Sequence, residues 1–193
     1  MFEPTLPNVL TVLRILLVPV LVVVLLSEGP HGDALAAAVF ALASCTDALD
    51  GYIARSRGSV STFGKLMDPV ADKLLVAAAL VSLVALDRVS AWVAMVIIAR
   101  ELAVTGLRLV AAEQGLVIAA SPWGKLKTVF QLGAIMALIA FPGSPAWVDA
   151  VVYVAVAVTL LSGADYFLGL RRRLGEAEAE AEAARAGRAL PPA

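Results

Sequence analysis

The chain has 193 residues, of which 61% are hydrophobic and 16% charged, and its mean hydropathy is +0.89. A soluble domain carries about 25% charged residues and roughly half apolar ones, so these figures exclude an ordinary soluble domain and point to one membrane domain. A net charge of -1 with a single cysteine and a single histidine excludes an intramolecular disulfide, a thiolate zinc site and most histidine-based chemistry.

A helix that crosses a bilayer needs about 20 mostly apolar residues, and six stretches meet that need. The first runs from Asn8 to Ser27. The segment before it has no basic run and no small-residue cleavage site, so it reads as mature sequence rather than a signal peptide. A turn-rich loop through Pro30, His31 and Gly32 follows. The second stretch, Ala34 to Arg57, turns polar from Ser44; Cys45 within it is expected to pack as a small buried hydrophobe. After the break at 58–62, the third runs from Phe63 to Leu86 with its polar half first. A short link from Asp87 to Ser90 leads to the fourth, Ala91 to Ala112, which contains Arg100, Glu101 and Arg108. The fifth runs from Gly124 to Phe141 and the sixth from Trp147 to Leu170, before Arg171-Arg172-Arg173. The expected fold is therefore all-α and polytopic. It has six transmembrane helices over residues 1–173 and a Glu/Ala-rich tail over 174–193. The tail is either a frayed surface helix or disordered.

Six spans put both termini on one side. Arg14, Arg55, Arg57, Lys65, Lys73, Lys125, Lys127 and the triple arginine gather there, against little beyond Arg88 and His31 opposite. Basic residues near helix ends favour the cytoplasm, so both termini are expected to be cytoplasmic. The basic residues flank spans and build no separate basic domain, which gives no support for nucleic-acid binding.

The richest stretch is Asp47-Ala-Leu-Asp50-Gly51-Tyr-Ile-Ala54-Arg55, followed by Gly64-Lys-Leu-Met-Asp68-Pro-Val-Ala-Asp72. Each aspartate pair has helical spacing that puts its two members on one face. The pairs sit at the cytoplasmic ends of consecutive, antiparallel spans, so all four carboxylates can converge. Such a cluster repels itself and is costly near a membrane. Divalent metal offsets it, because carboxylate oxygens are hard ligands suited to Mg²⁺, which also takes phosphate oxygens. Two ions would clamp a pyrophosphate. Gly51, Ala54 and Gly64 remove side chains beside the carboxylates and leave a slot for a flat nucleotide. Arg55 offers the pyrophosphate a planar, permanently charged fork.

This pattern resembles the signature of the CDP-alcohol phosphatidyltransferases. Asp47, Asp50, Gly51, Ala54, Arg55, Gly64, Asp68 and Asp72 match its fixed positions, with eight residues between Arg55 and Gly64. The resemblance extends to about Arg173. It implies six transmembrane helices, a homodimer among membrane lipids, and two metal ions (Mg²⁺ or Mn²⁺) at the cytoplasmic interface. It also implies a reaction in which an alcohol hydroxyl attacks the β-phosphorus of a CDP-linked substrate and CMP leaves. By that resemblance, Asp47, Asp50 and Asp68 ligate metal. Asp72 is the general base and lies near or on a metal.

Further segments look like the branch of the family that uses CDP-diacylglycerol and sn-glycerol 3-phosphate. They are Pro7-Asn8-Val-Leu-Thr11-Val-Leu-Arg14, Asp68-Pro69-Val-Ala-Asp72-Lys73, Ala99-Arg100-Glu101 and Trp123-Gly124-Lys125-Leu-Lys127-Thr128. That likeness implies a multi-pass protein of the plasma (inner) membrane. A phosphorylated acceptor needs cations, which Arg100, Arg108, Lys125 and Lys127 supply. Arg100 could instead pair with Glu101, and the two lysines could merely flank the membrane. Asn8, Thr11 and Arg14 are assigned to the nucleotide side, with helix capping the alternative for Asn8. Inositol-phosphate and cardiolipin types remain rival acceptor classes. A divalent-cation transporter is a rival of another kind, but it would place its carboxylates near the midplane.

Overall fold

The computed structural model describes residues 6–27, 31–57, 62–113, 122–143 and 145–188. Side chains are described over 8–27, 31–46, 67–113, 123–143 and 145–175. Those residues form six α-helices and no strand. They are α1 (Leu6–Leu26), α2 (Gly32–Arg57), α3 (Thr62–Ala85), α4 (Ala91–Glu113), α5 (Pro122–Ala140) and α6 (Ala146–Arg188). The first five fall within about two residues of the expected stretches. α6 does not stop at the triple arginine: it runs on through the Glu/Ala segment to Arg188. The compositional boundary at residue 173 thus falls inside a helix. Ala and Glu are strong helix formers, which explains the continuation.

The turn between α3 and α4 shows how local chemistry sets a boundary. Asp87 takes a left-handed conformation, φ 56°. The Arg88 N–H donates to the Leu83 carbonyl at 2.9 Å and the Asp87 N–H to the Val84 carbonyl at 3.0 Å. This is a Schellman closure, and aspartate is among the few side chains that tolerate its left-handed residue. Ser90 then opens α4, its carbonyl accepting from the Val93 N–H at 3.0 Å. Arg88 also clamps this end of the bundle. Its Nη1 lies 2.6 Å from Asp33 Oδ1 at the start of α2 and 3.4 Å from the Ile139 carbonyl near the end of α5.

α1 packs against both α2 and α3, α5 against α6 and α2, and α4 against α3 and α6. The short α2–α3 connection does make these two helices neighbours. Each nevertheless touches α1 far more than it touches the other, so α1 is the wedge that organises the carboxylate-bearing ends. Leu21, Phe40, Leu75, Leu83, Ile139 and Val148 are fully enclosed in the core. Ala36, Ala43, Ala71, Ala79 and Ala155 are completely buried, and such small residues allow close helix approach.

The outer surface is apolar. Val23, Met95 and Val129 are 67, 64 and 68% exposed, and water would not tolerate a whole belt of such residues. Among the described residues, two helices, over Asn8–Leu26 and Ala146–Gly175, are long and apolar enough to cross a membrane. Cys45 corrects an expectation: it is exposed on the outer face of α2 rather than buried. It follows Ser44 on a helix whose inward positions are taken by Ala43 and Thr46.

Candidate active site

A polar face runs up α1 at helical spacing. Asn8, Thr11 and Arg14 are all fully buried, at 1, 0 and 0% exposure. Because α1 begins at Leu6, Asn8 lies inside the helix, which removes the capping alternative. The Arg14 Nε donates to the Ala43 carbonyl of α2 at 3.3 Å. Thr46 Oγ1 donates to the same carbonyl at 2.7 Å. On the other flank, the Thr11 hydroxyl donates to Asp68 Oδ1 of α3. The stripe therefore joins the two helices that carry the aspartates. A buried charge-assisted hydrogen bond of this kind fixes a carboxylate's orientation.

Asp47, Asp50, Gly51, Ala54 and Arg55 lie on the last three turns of α2, and Gly64 lies in the first turn of α3. Their side chains lie outside the described residues. Asp68 and Asp72 are described, both partly exposed. They stand one turn apart on α3 but serve different neighbours. Asp68 meets α1 through Thr11, while Asp72 borders a cavity.

That cavity has a volume of about 290 Å³ and is walled by four helices. Asp72 and Lys73 come from α3; Arg100, Glu101, Thr105 and Arg108 from α4; Gly124, Lys125, Lys127 and Thr128 from α5; Ser162 and Tyr166 from α6. Its lining holds five cationic side chains (Lys73, Arg100, Arg108, Lys125 and Lys127) against two carboxylates, Asp72 and Glu101. Such a surplus in a pocket built of membrane-type helices is costly unless an anion offsets it.

All four cations expected to bind acceptor phosphate thus line one cavity, but they are not equivalent. Lys127 is buried, at 6% exposure, and its Nζ pairs with Glu101 Oε1. Burial beside a carboxylate is not what a membrane-flanking lysine does. Lys125 is exposed at the mouth. The Arg100 Nη1 also lies 3.5 Å from Glu101 Oε1. The expected Arg100–Glu101 pair is therefore present, but Glu101 is shared, and the shorter contact belongs to Lys127. The Arg100 Nη2 donates to Ser162 Oγ at 2.6 Å. The Arg108 guanidinium lies 5.8 Å from the centre of the Tyr166 ring, within range of a cation–π contact.

Sequence reasoning missed the contribution of α6 to the site. Ser162 and Tyr166 fall at one-turn spacing within its apolar run, and they form the cavity's fourth wall. The available signal was a small polar step in an otherwise aliphatic span, which is weak without knowing that α6 packs on α4.

A family model described as CDP-alcohol phosphatidyltransferase matches residues 4–161. The chain belongs to the CDP-alcohol phosphatidyltransferase family. Named relatives agree. A CDP-diacylglycerol–glycerol-3-phosphate 3-phosphatidyltransferase of Bacillus subtilis (strain 168) is 43% identical over 183 residues, covering 84% of this chain and 93% of the relative. A probable phosphatidylglycerophosphate synthase of Mycobacterium tuberculosis (strain ATCC 25618 / H37Rv) is 42% identical over 175 residues, covering 88 and 83%. A CDP-diacylglycerol–glycerol-3-phosphate 3-phosphatidyltransferase of Rickettsia prowazekii (strain Madrid E) is 36% identical over 171 residues, covering 86 and 94%. Membership in a family of lipid-handling transferases agrees with the apolar exterior of the bundle.

Proposed function

We propose that this chain transfers the phosphatidyl group of CDP-diacylglycerol to sn-glycerol 3-phosphate, giving phosphatidylglycerophosphate and CMP. The observation that carries this reading is the cation-lined cavity bordered by Asp72. An acceptor that is both an alcohol and a phosphate fits it: Arg100, Arg108, Lys125 and Lys127 take the phosphate, and the hydroxyl faces Asp72. A neutral polyol would leave the excess charge uncompensated. The names of the relatives support the same acceptor.

The hydroxyl oxygen forms a bond to the phosphorus that carries diacylglycerol. The pyrophosphate P–O bond breaks, and CMP leaves with its electron pair. Asp72 takes the hydroxyl proton. A free aspartate, with a pKa of about 3.9, is a weak base toward an alcohol, but it need accept the proton only as the P–O bond forms. Asn8, Thr11 and Arg14 border the nucleotide region with Gly51, Ala54, Arg55 and Gly64.

Asp47, Asp50, Asp68 and Asp72 would hold two divalent ions, Mg²⁺ or Mn²⁺. The described residues fit such a group: Asp68 and Asp72 are hard oxygen donors one turn apart, and Thr11 orients Asp68 through a hydrogen bond. Bound there, the ions would neutralise charge on the pyrophosphate oxygens. The protein works as a homodimer in the plasma (inner) membrane, with all six helices spanning and both termini and the active site cytoplasmic. The basic residues at one end of the bundle support that orientation.

Purified protein is assayed with CDP-diacylglycerol, Mg²⁺ and labelled glycerol 3-phosphate, inositol phosphate or phosphatidylglycerol. Product is expected with glycerol 3-phosphate. Product only with another alcohol would overturn the assignment of acceptor.

A further inference from the structure

Two residues that line the acceptor cavity carry a buried polar atom with no hydrogen-bond partner among the described residues: Arg100, at Nε, and Tyr166, at its hydroxyl. The hydroxyl of Tyr166 is buried and has no hydrogen-bond partner among the described residues. A buried phenol usually finds a partner, and leaving it without one costs about as much as losing a hydrogen bond. Tyr166 lines the same cavity as Asp72, Arg100 and Lys127. Its ring is steadied by the Arg108 guanidinium, 5.8 Å from the ring centre. The neighbouring polar group on α6, Ser162, is already engaged by Arg100. The hydroxyl is thus desolvated by protein, and it belongs to a side chain that lines the space the acceptor would fill.

We propose that Tyr166 is a substrate-contacting residue that donates a hydrogen bond to an oxygen of the phosphorylated alcohol. The proposal rests on the reading of this cavity as the acceptor site, and it deepens that reading. Electrostatic attraction by four cations selects for charge but tolerates many positions of the anion. A phenol is a directional donor with few rotamers. It would fix which acceptor oxygen points toward Arg108 and, through the length of a three-carbon alcohol, which points toward Asp72. The fold thereby divides the labour: α4 and α5 supply charge, and α6 supplies direction.

The test is Tyr166→Phe, which keeps the ring and its contact with Arg108 and removes one oxygen. KM for the acceptor, KM for CDP-diacylglycerol and kcat are measured for both proteins, using whichever acceptor the unsubstituted enzyme turns over. A hydrogen bond to a charged partner is worth about tenfold or more in affinity. The acceptor KM is therefore expected to rise roughly tenfold, with KM for CDP-diacylglycerol unchanged. Equal changes in both KM values, or no change in either, would overturn the role of Tyr166. Failure of glycerol 3-phosphate with the unsubstituted enzyme would instead overturn the acceptor assignment, and the same KM comparison on the true acceptor would still decide Tyr166.

Discussion

The side chain of Arg100 packs onto the bare backbone of Gly163: a Cβ placed on that glycine would stand 3.3 Å from Arg100 Cγ and 3.6 Å from its Nε. α4 and α6 approach closely at this point, and the guanidinium passes over α6 to reach Ser162 Oγ at 2.6 Å. Gly163 is needed here for the room it leaves, not for backbone freedom.

Gly163→Ala should therefore displace Arg100 rather than unfold the bundle. The arginine is pinned between Ser162 and Glu101, so it yields by leaving its preferred rotamer. That costs about 0.5–1.5 kcal/mol, or roughly a two- to tenfold rise in the acceptor KM. KM for CDP-diacylglycerol should hold, and Tm in detergent should move little. A large fall in Tm with unchanged KM would make the glycine a packing residue only.

The two lysines of α5 should separate experimentally. Lys125 is exposed, so Lys125→Ala should raise the acceptor KM without changing Tm. Lys127 is buried against Glu101, so Lys127→Met strands a buried carboxylate. Breaking such a pair costs about 3–5 kcal/mol, and Arg100 at 3.5 Å keeps the loss toward the low end. Adding Glu101→Gln should recover much of the stability but not the acceptor affinity. Thermal unfolding in detergent, read beside KM, distinguishes the two lysines.

These particulars also mark what the sequence could disclose. Helix positions were legible because apolar runs of span length are bounded by glycine, proline and charge. The aspartate spacing was legible because it is local, within three or four residues. The wedge role of α1, the engagement of Asp68 by Thr11, and the fourth wall made by Ser162 and Tyr166 were not. Each depends on which helix packs beside which, and local periodicity does not encode that. On sequence alone the tail stands between a surface helix and disorder, because its charge suits solvation while its alanines and glutamates favour helix.

Thr11→Val keeps the shape of the side chain and removes the donor to Asp68. If Asp68 holds a metal, loss of a supporting hydrogen bond should weaken metal affinity about 10- to 100-fold. The Mg²⁺ concentration for half-maximal activity should rise accordingly, and Thr11→Ser should restore it. The acceptor KM at saturating Mg²⁺ should stay put, because Thr11 is not among the residues that line the cavity. A shifted acceptor KM with an unchanged Mg²⁺ requirement would remove Thr11 from the metal's support.

Asp72→Asn tests the proton's destination. Two carboxylates border the cavity, and Glu101 is held by Lys127 and Arg100, so its charge is spent on organising cations. Asp72 is the carboxylate proposed to receive the hydroxyl proton, and asparagine cannot take its place as a base. Removing a general base costs about 10²–10⁴ in rate, so kcat should fall by that order. Binding of CDP-diacylglycerol and of glycerol 3-phosphate, followed by calorimetry on the purified variant, should survive, because neither arginine nor lysine is altered. Loss of CDP-diacylglycerol binding together with turnover would make Asp72 chiefly a metal ligand. Retained turnover would place the base elsewhere in the site.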